Sequence, residues 1–325
     1  MKPLVSIIMA AYNSEKFIGA AIESILDQTF REFELLIIED ASTDGTLKKI
    51  QSYQDPRIRV LKNEHNSGTL YSMRRGVKEA RGKYIAVLDS DDIAEPDRIK
   101  MQVKVLDARP EVLLCATKIK HLIDGRIEKV RYLPIQNSRQ LKFSLLFGNT
   151  IAHSSVMYRK KELREKKIEY ETYSYCHDYH LILSVGQISP IYVIDKELVQ
   201  YRIHRKQKTC VLSQQKIARE VNSAKEHYIQ KIQGLTQKEK KILYNAVWGR
   251  LNSLPDFVQL KNIIYHYAAL CHLKGNDNLI YYEFYKLFCI QRRSYQWFIY
   301  YILEFYLCRG IMRMKQSNEY GSFVE

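Results

Sequence analysis

Three aspartates within four residues, Asp89, Asp91 and Asp92, stand at the end of an apolar run that is predicted to be a buried strand. Because like charges repel and burial adds to the cost, such a cluster is unfavourable unless a cation is held there. Carboxylates without Cys or His favour a hard ion such as Mg²⁺ or Mn²⁺, which often keeps open positions for substrate phosphates. The alternative is a solvated turn whose last aspartate caps the helix that begins near Pro96.

The elements that would position this cluster alternate between apolar runs and segments of helical period. That alternation is typical of βαβ units and a parallel sheet. The first predicted helix has one apolar face between Phe17 and Leu26, and Asn13 or Ser14 is its predicted N-cap. The predicted strands of this part occupy residues 5–12, 34–40, 58–62 and 84–89.

The rest of the chain is first mixed and then helical. We predict a turn at Asp124 and Gly125 and a helix around residues 178–185. Further strand-like segments cover residues 112–119, 153–159, 191–194 and 199–204. From Gln214 onward helical period dominates, and Thr236 with Glu239 fits a capping box. We therefore predict an α/β domain over residues 1–210 and a helical, basic and aromatic region over residues 211–325.

Composition and charge agree with this division. With 46% hydrophobic and 27% charged residues, the 325-residue chain lies in the globular range and is long enough for a main domain plus an appendage. The net charge of +15 is uneven, because residues 200–325 hold 20 Lys and Arg against 9 Asp and Glu. The six cysteines form no CxxC pair, so neither a disulfide framework nor a zinc site is expected.

The location of the protein is predicted from its two ends. The first 13 residues lack a multi-basic start and a cleavage site, so we interpret residues 5–12 as a strand and expect a cytoplasmic protein. The aromatic segment 295–308 is too short to span a bilayer, which needs about 20 apolar residues. Its basic flanks suit a helix on the inner, anionic membrane surface, and the alternative is an ordinary core helix.

Chemistry is expected where the strands end, because ligands of a doubly wound sheet bind outside the carboxyl ends of its strands. Tyr12 could lie against a nucleotide base, Asp40 could accept hydrogen bonds from base or ribose, and a cation could hold a diphosphate. No GxGxxG or GxxxxGK[ST] motif is present, which counts against dinucleotide oxidoreductases and P-loop NTPases. The residues that would face this crevice are Ala11, Tyr12, Asn13, Glu39, Asp40, Asp89, Ser90, Asp91 and Asp92.

Several ordered motifs resemble those of the family 2 glycosyltransferases of the GT-A fold, over roughly residues 3–204. They are VSII leading to YN in residues 5–13, SILDQT at 24–29, EDASTDGT at 39–46, NSG at 66–68, and ARGKYI at 80–85 running into LDSDD at 88–92. The resemblance implies a Rossmann-like, mixed but mainly parallel sheet with flanking helices, followed by a helical C-terminal subdomain. It also implies inverting transfer of a sugar from a nucleotide diphosphate donor, most commonly a UDP-sugar, with Mn²⁺ or Mg²⁺ at the aspartate cluster.

The resemblance also implies roles for single residues. Tyr12 and Asp40 match the nucleotide-binding pair, Asp91 and Asp92 the metal-proximal residues, and Asp89 a residue near ribose or metal. Glu39 stands where the family often has a second Asp, and a charge without ligand contact is the alternative for it. His204, in the motif YRIH, matches a histidine that reaches the metal or diphosphate, and His153 resembles part of the acceptor-side strand; structural roles are the alternative for both.

Inversion in one step needs a base opposite the leaving group, because the acceptor hydroxyl must lose its proton as it attacks. Asp178 matches the family's usual base, with an N-cap role as the alternative, whereas His177 replaces the usual Glu. A second departure is Met73–Arg74 in place of Arg-Asn. The cation that helps to hold the diphosphate is therefore open, and simple solvation is the default for Arg74 and Arg75.

The acceptor is expected to be a saccharide or a lipid-linked saccharide of a cell-surface or capsular polysaccharide, and a homo-oligomer is compatible with the sequence. One alternative on the same fold is sugar transfer to a polyprenyl phosphate, which needs no Asp178 base because a phosphate is already ionised; nucleotidyl transfer is another. A basic nucleic-acid-binding protein is an alternative of a different class. No recognised nucleic-acid-binding motif is present, so a nucleic acid is not the expected partner.

Overall fold

A single mixed β-sheet with flanking helices makes up most of the structure, and further helices follow it. The computed structural model describes residues 2–130, 132, 135, 137–171, 173–205, 207, 214–251, 254–274, 279, 280 and 283. Two compact units divide the described chain. The first lies within Met1–Leu133 and Asn149–Ala224, and the second within Pro134–Gly148 and Lys225–Glu325.

The sheet belongs to the first unit. Its strands are β1 Val5–Ala11, β2 Phe33–Glu39, β3 Ile58–Lys62, β4 Tyr84–Val87, β5 Ile93–Ala94, β6 Leu114–Ile123, β7 Arg126–Lys129, β8 Met157–Arg159 and β9 Ile191–Ile203. The strand order is β3-β2-β1-β4-β8-β6-β9-β5, with β7 paired to β6. Strands β1 to β4 run parallel to one another, and β8 joins β4 in the antiparallel direction. Strand β9 is parallel to β6.

Helices of the first unit cover the sheet and bury its apolar runs. Strand β2 is buried along its whole length, which explains its continuous hydrophobic pattern. Helix α1 packs Ile18, Ile22 and Ile25 into the same core as strands β1 and β2. The helices are α1 Ile18–Leu26, α2 Thr46–Gln51, α3 Thr69–Glu79, α4 Arg98–Ala108, α5 Ser138–Leu145, α6 Lys160–Glu165, α7 His177–Ile188, α8 Gln214–Lys231, α9 Gln237–Val247 and α10 Leu254–Leu270.

The four predicted parallel strands are confirmed, but other sequence predictions need correction. Residues 153–159 are not one strand, because His153–Ser155 forms a 3₁₀ turn before β8. Neither Asn13 nor Ser14 caps α1, which begins at Ile18 with Phe17 as N-cap and no side-chain cap. Residues 191–194 and 199–204 belong largely to the single strand β9.

The predicted turn at Asp124 and Gly125 is confirmed, with φ angles of +47° and +79°. Two successive residues of positive φ match the right-handed twist of the β6–β7 hairpin.

The second unit is helical and has its own aromatic packing. The rings of Phe143 on α5 and Tyr267 on α10 stack at 5.5 Å, and the Tyr267 hydroxyl lies 3.0 Å from that of Tyr228. The predicted capping box of Thr236 and Glu239 is confirmed at the start of α9. Helix α5 was not predicted, and residues 134–148, assigned from sequence to the first domain, cluster with this unit.

Two predictions fall outside the described residues. The aromatic segment 295–308 is one, so its proposed membrane-surface role stays a prediction. The domain boundary after residue 210 is the other, because residues 208–213 are not described. Within the described part of the chain, no helix combines the length and hydropathy that crossing a bilayer requires.

Candidate active site

The carboxyl ends of β1, β2 and β4 meet at one edge of the sheet. Ala11 at the end of β1 pairs with Glu39 at the end of β2. The backbone N–H of Leu88, just after β4, donates to the carbonyl of Ile8 at 3.2 Å. The strand ends named in the sequence analysis are therefore neighbours in space, as a parallel sheet requires.

Side chains from the first two strand ends interlock. Asn13, with φ of +49°, accepts a hydrogen bond at Oδ1 from the backbone N–H of Thr43 at 2.8 Å. Buried Glu39 accepts at Oε1 from the backbone N–H of Ser42 at 2.7 Å. Tyr12 stays 43% exposed beside them. Asn13 and Glu39 thus shape the two loops, and Tyr12 presents an accessible ring.

Asp40 organises the third loop of this edge. Its carboxylate is 3% exposed and accepts from Asn63 Nδ2 at 2.6 Å, Ser67 N at 3.0 Å and Gly68 N at 2.8 Å. Asn63 and Ser67 both donate to Oδ1, whereas Gly68 is the one donor to Oδ2 among the residues that the structure describes. A carboxylate offers about four acceptor sites, so Oδ2 retains capacity for a ligand donor.

The aspartate cluster follows β4 and is largely buried. Asp92 is 1% exposed, and its Oδ2 has no hydrogen-bond partner within the described chain. Burial, followed by the charges of Asp91 and Asp89, raises the pKa of Asp92 well above its ordinary value. Burial and the charge of Asp89 also raise the pKa of Asp91. Asp92 does not cap α4, whose N-cap position is Asp97, so the solvated-turn alternative is wrong.

Asp89 is tied to the turn that precedes β8. Its backbone N–H donates to Ser154 Oγ at 3.1 Å, and its Oδ1 lies 3.7 Å from His153 Nδ1. Burial acts to raise the pKa of Asp89, but the hydrogen bond and charge of His153 lower it overall. Ser90 is buried, and its Oγ lies 2.7 Å from Ser14 Oγ. The cluster is therefore anchored on two sides.

The end of β9 reaches the other side of the cluster. His204 Nε2 lies 3.0 Å from Asp91 Oδ2. The backbone N–H of Arg202 donates to Asp92 Oδ1 at 2.8 Å, and Arg202 Nε donates to the carbonyl of Asp91 at 2.7 Å. Sequence reasoning found His204 and missed Arg202, although Arg202 stands two residues earlier in the same motif.

These residues suit a hard divalent cation. Oδ2 of Asp92 is buried and without a partner, and Asp91 pairs with His204, but no three ligand atoms of Asp91, Asp92 and His204 lie within 4.8 Å of one another. Such cations are often held by one or two carboxylates together with substrate phosphates. The arrangement therefore fits a cation whose coordination a diphosphate would complete.

Asp178 lies in the first turn of α7, on the predicted acceptor side. Cys176 is the N-cap of that helix, so the N-cap alternative for Asp178 is wrong. Asn149 Nδ2 lies 3.4 Å from Asp178 Oδ2. Burial lowers the pKa of His153, but the hydrogen bond and charge of Asp89, and then the charge of Asp178, raise it overall.

Aromatic rings pack against His153, the neighbour of Asp89, and one of them belongs to His177, which directly precedes Asp178. His153 Nε2 lies 2.9 Å from the Tyr170 hydroxyl, and the rings of His153 and His177 meet edge to face at 5.5 Å. Tyr170 also accepts a hydrogen bond at its carbonyl from Arg74 Nε at 2.6 Å. Arg75 Nη1 donates to the carbonyl of Lys62 at 2.7 Å. Simple solvation of these two arginines is therefore wrong, because both hold backbone segments.

Arg98 is a further residue that sequence reasoning missed. It is fully buried on α4, and its Nη2 donates to the carbonyls of Val87 at 2.7 Å and Val156 at 3.3 Å. Burial lowers the pKa of Arg98 to about 10, which leaves it charged at neutral pH. It ties the end of β4 to the turn that carries His153. The sequence did not indicate this role, because Arg98 looks like any exposed basic residue of an amphipathic helix.

Comparisons with known proteins agree with the geometry. Residues 6–167 match the description "Glycosyl transferase family 2". An uncharacterized glycosyltransferase of Methanocaldococcus jannaschii is 34% identical over 209 residues, which cover 62% of this chain and 71% of that protein. The UDP-Glc:alpha-D-GlcNAc-diphosphoundecaprenol beta-1,3-glucosyltransferase WfgD of Escherichia coli is 43% identical over 103 residues, covering 32% of this chain and 41% of WfgD.

Among solved structures, S. aureus TarS 1-349 in complex with UDP-GlcNAc aligns with a TM-score of 0.61. The two proteins are 20% identical, and the alignment covers 89% of each chain. At that identity the likeness bears on the fold, and it supports the mixed GT-A-type sheet predicted from sequence. The chain therefore belongs to glycosyl transferase family 2 and has the GT-A fold of a glycosyltransferase.

Proposed function

We propose that this chain is a metal-dependent, inverting glycosyltransferase that moves a sugar from a UDP-sugar to a saccharide or lipid-linked acceptor. The observation that carries the proposal is the aspartate cluster at the end of β4. The pKa values of Asp91 and Asp92 are both raised, first by burial and then by neighbouring carboxylates. A divalent cation would relieve that repulsion, and a donor diphosphate could supply further oxygen ligands.

Asp91, Asp92 and His204 are the residues that would hold the cation. When bound, the cation stabilises the negative charge that builds up on the departing nucleotide diphosphate. The chain prepares this site through Arg202, which fixes Asp92 Oδ1 and the carbonyl of Asp91. Ser14 supports the same loop through its contact with Ser90.

The nucleoside end of the donor lies, in this proposal, against the first two strand ends. The exposed ring of Tyr12 offers a stacking surface for the base. Asn13 and Glu39 keep the flanking loops in place, and Ala11 ends the strand on which Tyr12 follows. Asp40 shapes the loop of residues 63–68, and its Oδ2 accepts from the base or ribose.

Asp178 is the proposed base. As the acceptor oxygen forms its bond to the anomeric carbon, its proton passes to the Asp178 carboxylate, and the bond from that carbon to the diphosphate oxygen breaks. Asn149 orients Asp178 through its amide. Attack from the face opposite the leaving group inverts the anomeric configuration.

UDP is proposed as the nucleotide because WfgD is named for UDP-Glc and the TarS structure contains UDP-GlcNAc. The name of WfgD also specifies its acceptor, alpha-D-GlcNAc-diphosphoundecaprenol, a lipid-linked sugar, which supports a role in cell-surface polysaccharide synthesis. Because the beta-1,3 linkage in that name is made to a sugar, it favours a saccharide hydroxyl over the alternative acceptor, a polyprenyl phosphate. Asp178→Asn separates the two, because it abolishes transfer to a saccharide hydroxyl and spares transfer to a lipid phosphate.

Turnover of UDP-sugars with Mn²⁺ or Mg²⁺ tests the proposal. We expect Asp91→Asn combined with Asp92→Asn to lower turnover at least about 100-fold, the usual scale for losing preorganised charge stabilisation. Asp124→Asn, in an exposed turn, is the matched control and should keep wild-type turnover. Wild-type activity in the double variant, or activity that is indifferent to chelation, would refute metal-dependent transfer.

A further inference from the structure

Phe17, at the N-cap of α1, packs against two residues from the end of β9. Its ring lies 4.7 Å from the His204 imidazole, with an interplanar angle of 39°. The guanidinium carbon of Arg202 lies 4.9 Å from the centre of the same ring. His204 and Arg202 are the residues that reach Asp91 and Asp92, so one half-buried aromatic ring supports both.

We propose that Phe17 is a positioning residue that holds Arg202 and His204 over the aspartate cluster, so that Asp91 and His204 stay set for a divalent cation. This inference rests on the proposed metal-dependent function. Phe17 has no metal-binding atom and acts only through its neighbours. Aromatic faces attract guanidinium groups and stack with imidazole rings, so the ring fixes the orientation of both side chains.

The position of His204 in the fold explains why such support is needed. The pairing of β9 with β6 ends at Ile203, so His204 lies beyond the strand ladder. Within the described chain, the directional contacts of its side chain are those to Asp91 Oδ2 and to the Phe17 ring. A side chain beyond the ladder loses its orientation easily when one of two contacts is removed.

Phe17 is itself firmly held. The backbone N–H of Phe17 donates to the Ser14 carbonyl at 2.9 Å, and Ser14 Oγ contacts Ser90 Oγ within the cluster loop. The turn that carries Phe17 is therefore tied to the same loop that carries Asp91. The Phe17 ring contacts the His204 imidazole, the imidazole contacts the Asp91 carboxylate, and the loop that carries Asp91 is linked back to Phe17 through Ser90 and Ser14. Residues that orient a ligand set in this way typically contribute about 10–100-fold to metal affinity or activity.

The test uses the full chain, with Mn²⁺ uptake measured by calorimetry in the presence of UDP. We expect Phe17→Leu, which keeps an apolar side chain without the aromatic face, to weaken Mn²⁺ binding about tenfold. Phe17→Tyr restores the face and should bind Mn²⁺ within about twofold of wild type. In a His204→Ala background, Phe17→Leu should cause a smaller loss of Mn²⁺ affinity than in the wild type, because one of the two side chains that the ring holds is then absent.

Phe33 provides the matched control, because Arg57 lies 4.5 Å over its ring at the start of β2, away from the carboxyl ends of the strands. Phe33→Leu should lower the unfolding temperature and leave Mn²⁺ affinity unchanged. The proposal would be overturned if Phe17→Leu bound Mn²⁺ with wild-type affinity, or if Phe17→Tyr bound it as weakly as Phe17→Leu does. It would also be overturned if Phe17→Leu lowered Mn²⁺ affinity by the same factor in the His204→Ala background as in the wild type.

Two further outcomes distinguish a folding defect, and a failure of the proposed metal-dependent function, from a failure of the Phe17 inference itself. If Phe17→Leu and Phe17→Met both fail to fold by circular dichroism, Phe17 is a core residue and the inference is wrong. If the wild-type chain takes up no Mn²⁺ with UDP, the metal-dependent function fails and this inference fails with it. If the wild type does take up Mn²⁺ but Phe17→Leu lowers Mn²⁺ affinity by the same factor with and without His204, the metal-dependent function stands and only the proposed role of Phe17 fails.

Discussion

Asp92→Asn should stabilise the metal-free protein while removing its response to metal. The substitution preserves the size of the side chain, and an Asn oxygen can still accept from the Arg202 backbone N–H. It removes the buried charge of the Asp92 carboxylate, a group whose pKa is raised by burial and by the charges of Asp91 and Asp89. The ionised carboxylate therefore destabilises the metal-free fold more than its neutral analogue does.

The size of the effect follows from Oδ2 of Asp92, which is buried without a hydrogen-bond partner in the described chain. An unsatisfied buried polar atom costs about 1–3 kcal/mol, and a charged one costs more. Asn removes the charge but keeps a polar atom, so we expect a gain of about 0.5–2 kcal/mol in the free energy of unfolding. That gain corresponds to an increase of about 1–8 °C in Tm for a unit of this size.

The pH dependence has a defined sign. Because the pKa of Asp92 is raised in the folded state, the native protein binds more protons than the unfolded chain, and wild-type stability decreases as pH rises through that pKa. Asn does not titrate. The stability advantage of Asp92→Asn should therefore be largest above the raised pKa and shrink as pH falls toward 3.8, the ordinary value for aspartate.

Thermal unfolding followed by circular dichroism, first with chelator and then with Mn²⁺ and UDP, measures both effects. Wild type should gain stability with Mn²⁺ and UDP, whereas Asp92→Asn should not gain it. Asp124→Asn makes the same chemical change at an exposed position of positive φ, which Asn tolerates, and should behave as wild type. A lower Tm for Asp92→Asn with chelator, or a full response to Mn²⁺, would refute the reasoning.

Three further outcomes are expected. Mn²⁺ affinity, measured by calorimetry from acidic to neutral pH, should rise with pH, because burial and the charge of Asp89 raise the pKa of Asp91 and protons compete with the cation; a flat profile would contradict this. Asp40→Asn should cost about 1–3 kcal/mol and speed hydrogen exchange in residues 63–68, since an amide nitrogen at Oδ2 would face the donor N–H of Gly68; unchanged exchange would count against it. Gly82→Ala should cost about 1–3 kcal/mol in urea unfolding, because its Cβ would lie 2.5 Å from the backbone nitrogen of Ser6, and a neutral result would show that the strand can shift.

Local patterns were enough to predict the frame of the site. Continuous apolar runs identified the buried strands β1, β2 and β4, and the helical segments between them required a parallel arrangement. The carboxyl ends of parallel strands lie at one edge of the sheet, so the sequence alone predicted that Ala11, Glu39 and the aspartate cluster are close together. The prediction of a strand over residues 153–159 failed because an apolar run does not reveal the 3₁₀ turn that interrupts it.

Roles that depend on partners far along the chain could not be predicted in this way. The sequence around Arg74 is that of a solvated helix surface, yet the Arg74 guanidinium donates a hydrogen bond to the carbonyl of Tyr170. Arg98 is charged and still fully buried, because it bonds carbonyls at the ends of β4 and the 3₁₀ turn. In both cases the deciding partner is a backbone carbonyl, which every residue carries and no motif marks.

By itself, the sequence determined the residue types, the strand ends and therefore the edge at which chemistry can occur, because hydrophobic period and chain direction are local properties. The tertiary structure decided which of those side chains touch. The contact of His204 with Asp91 joins residues 113 positions apart and depends on the register of β9 against β6. The burial that raises the pKa of Asp92 likewise arises only when distant segments pack around it.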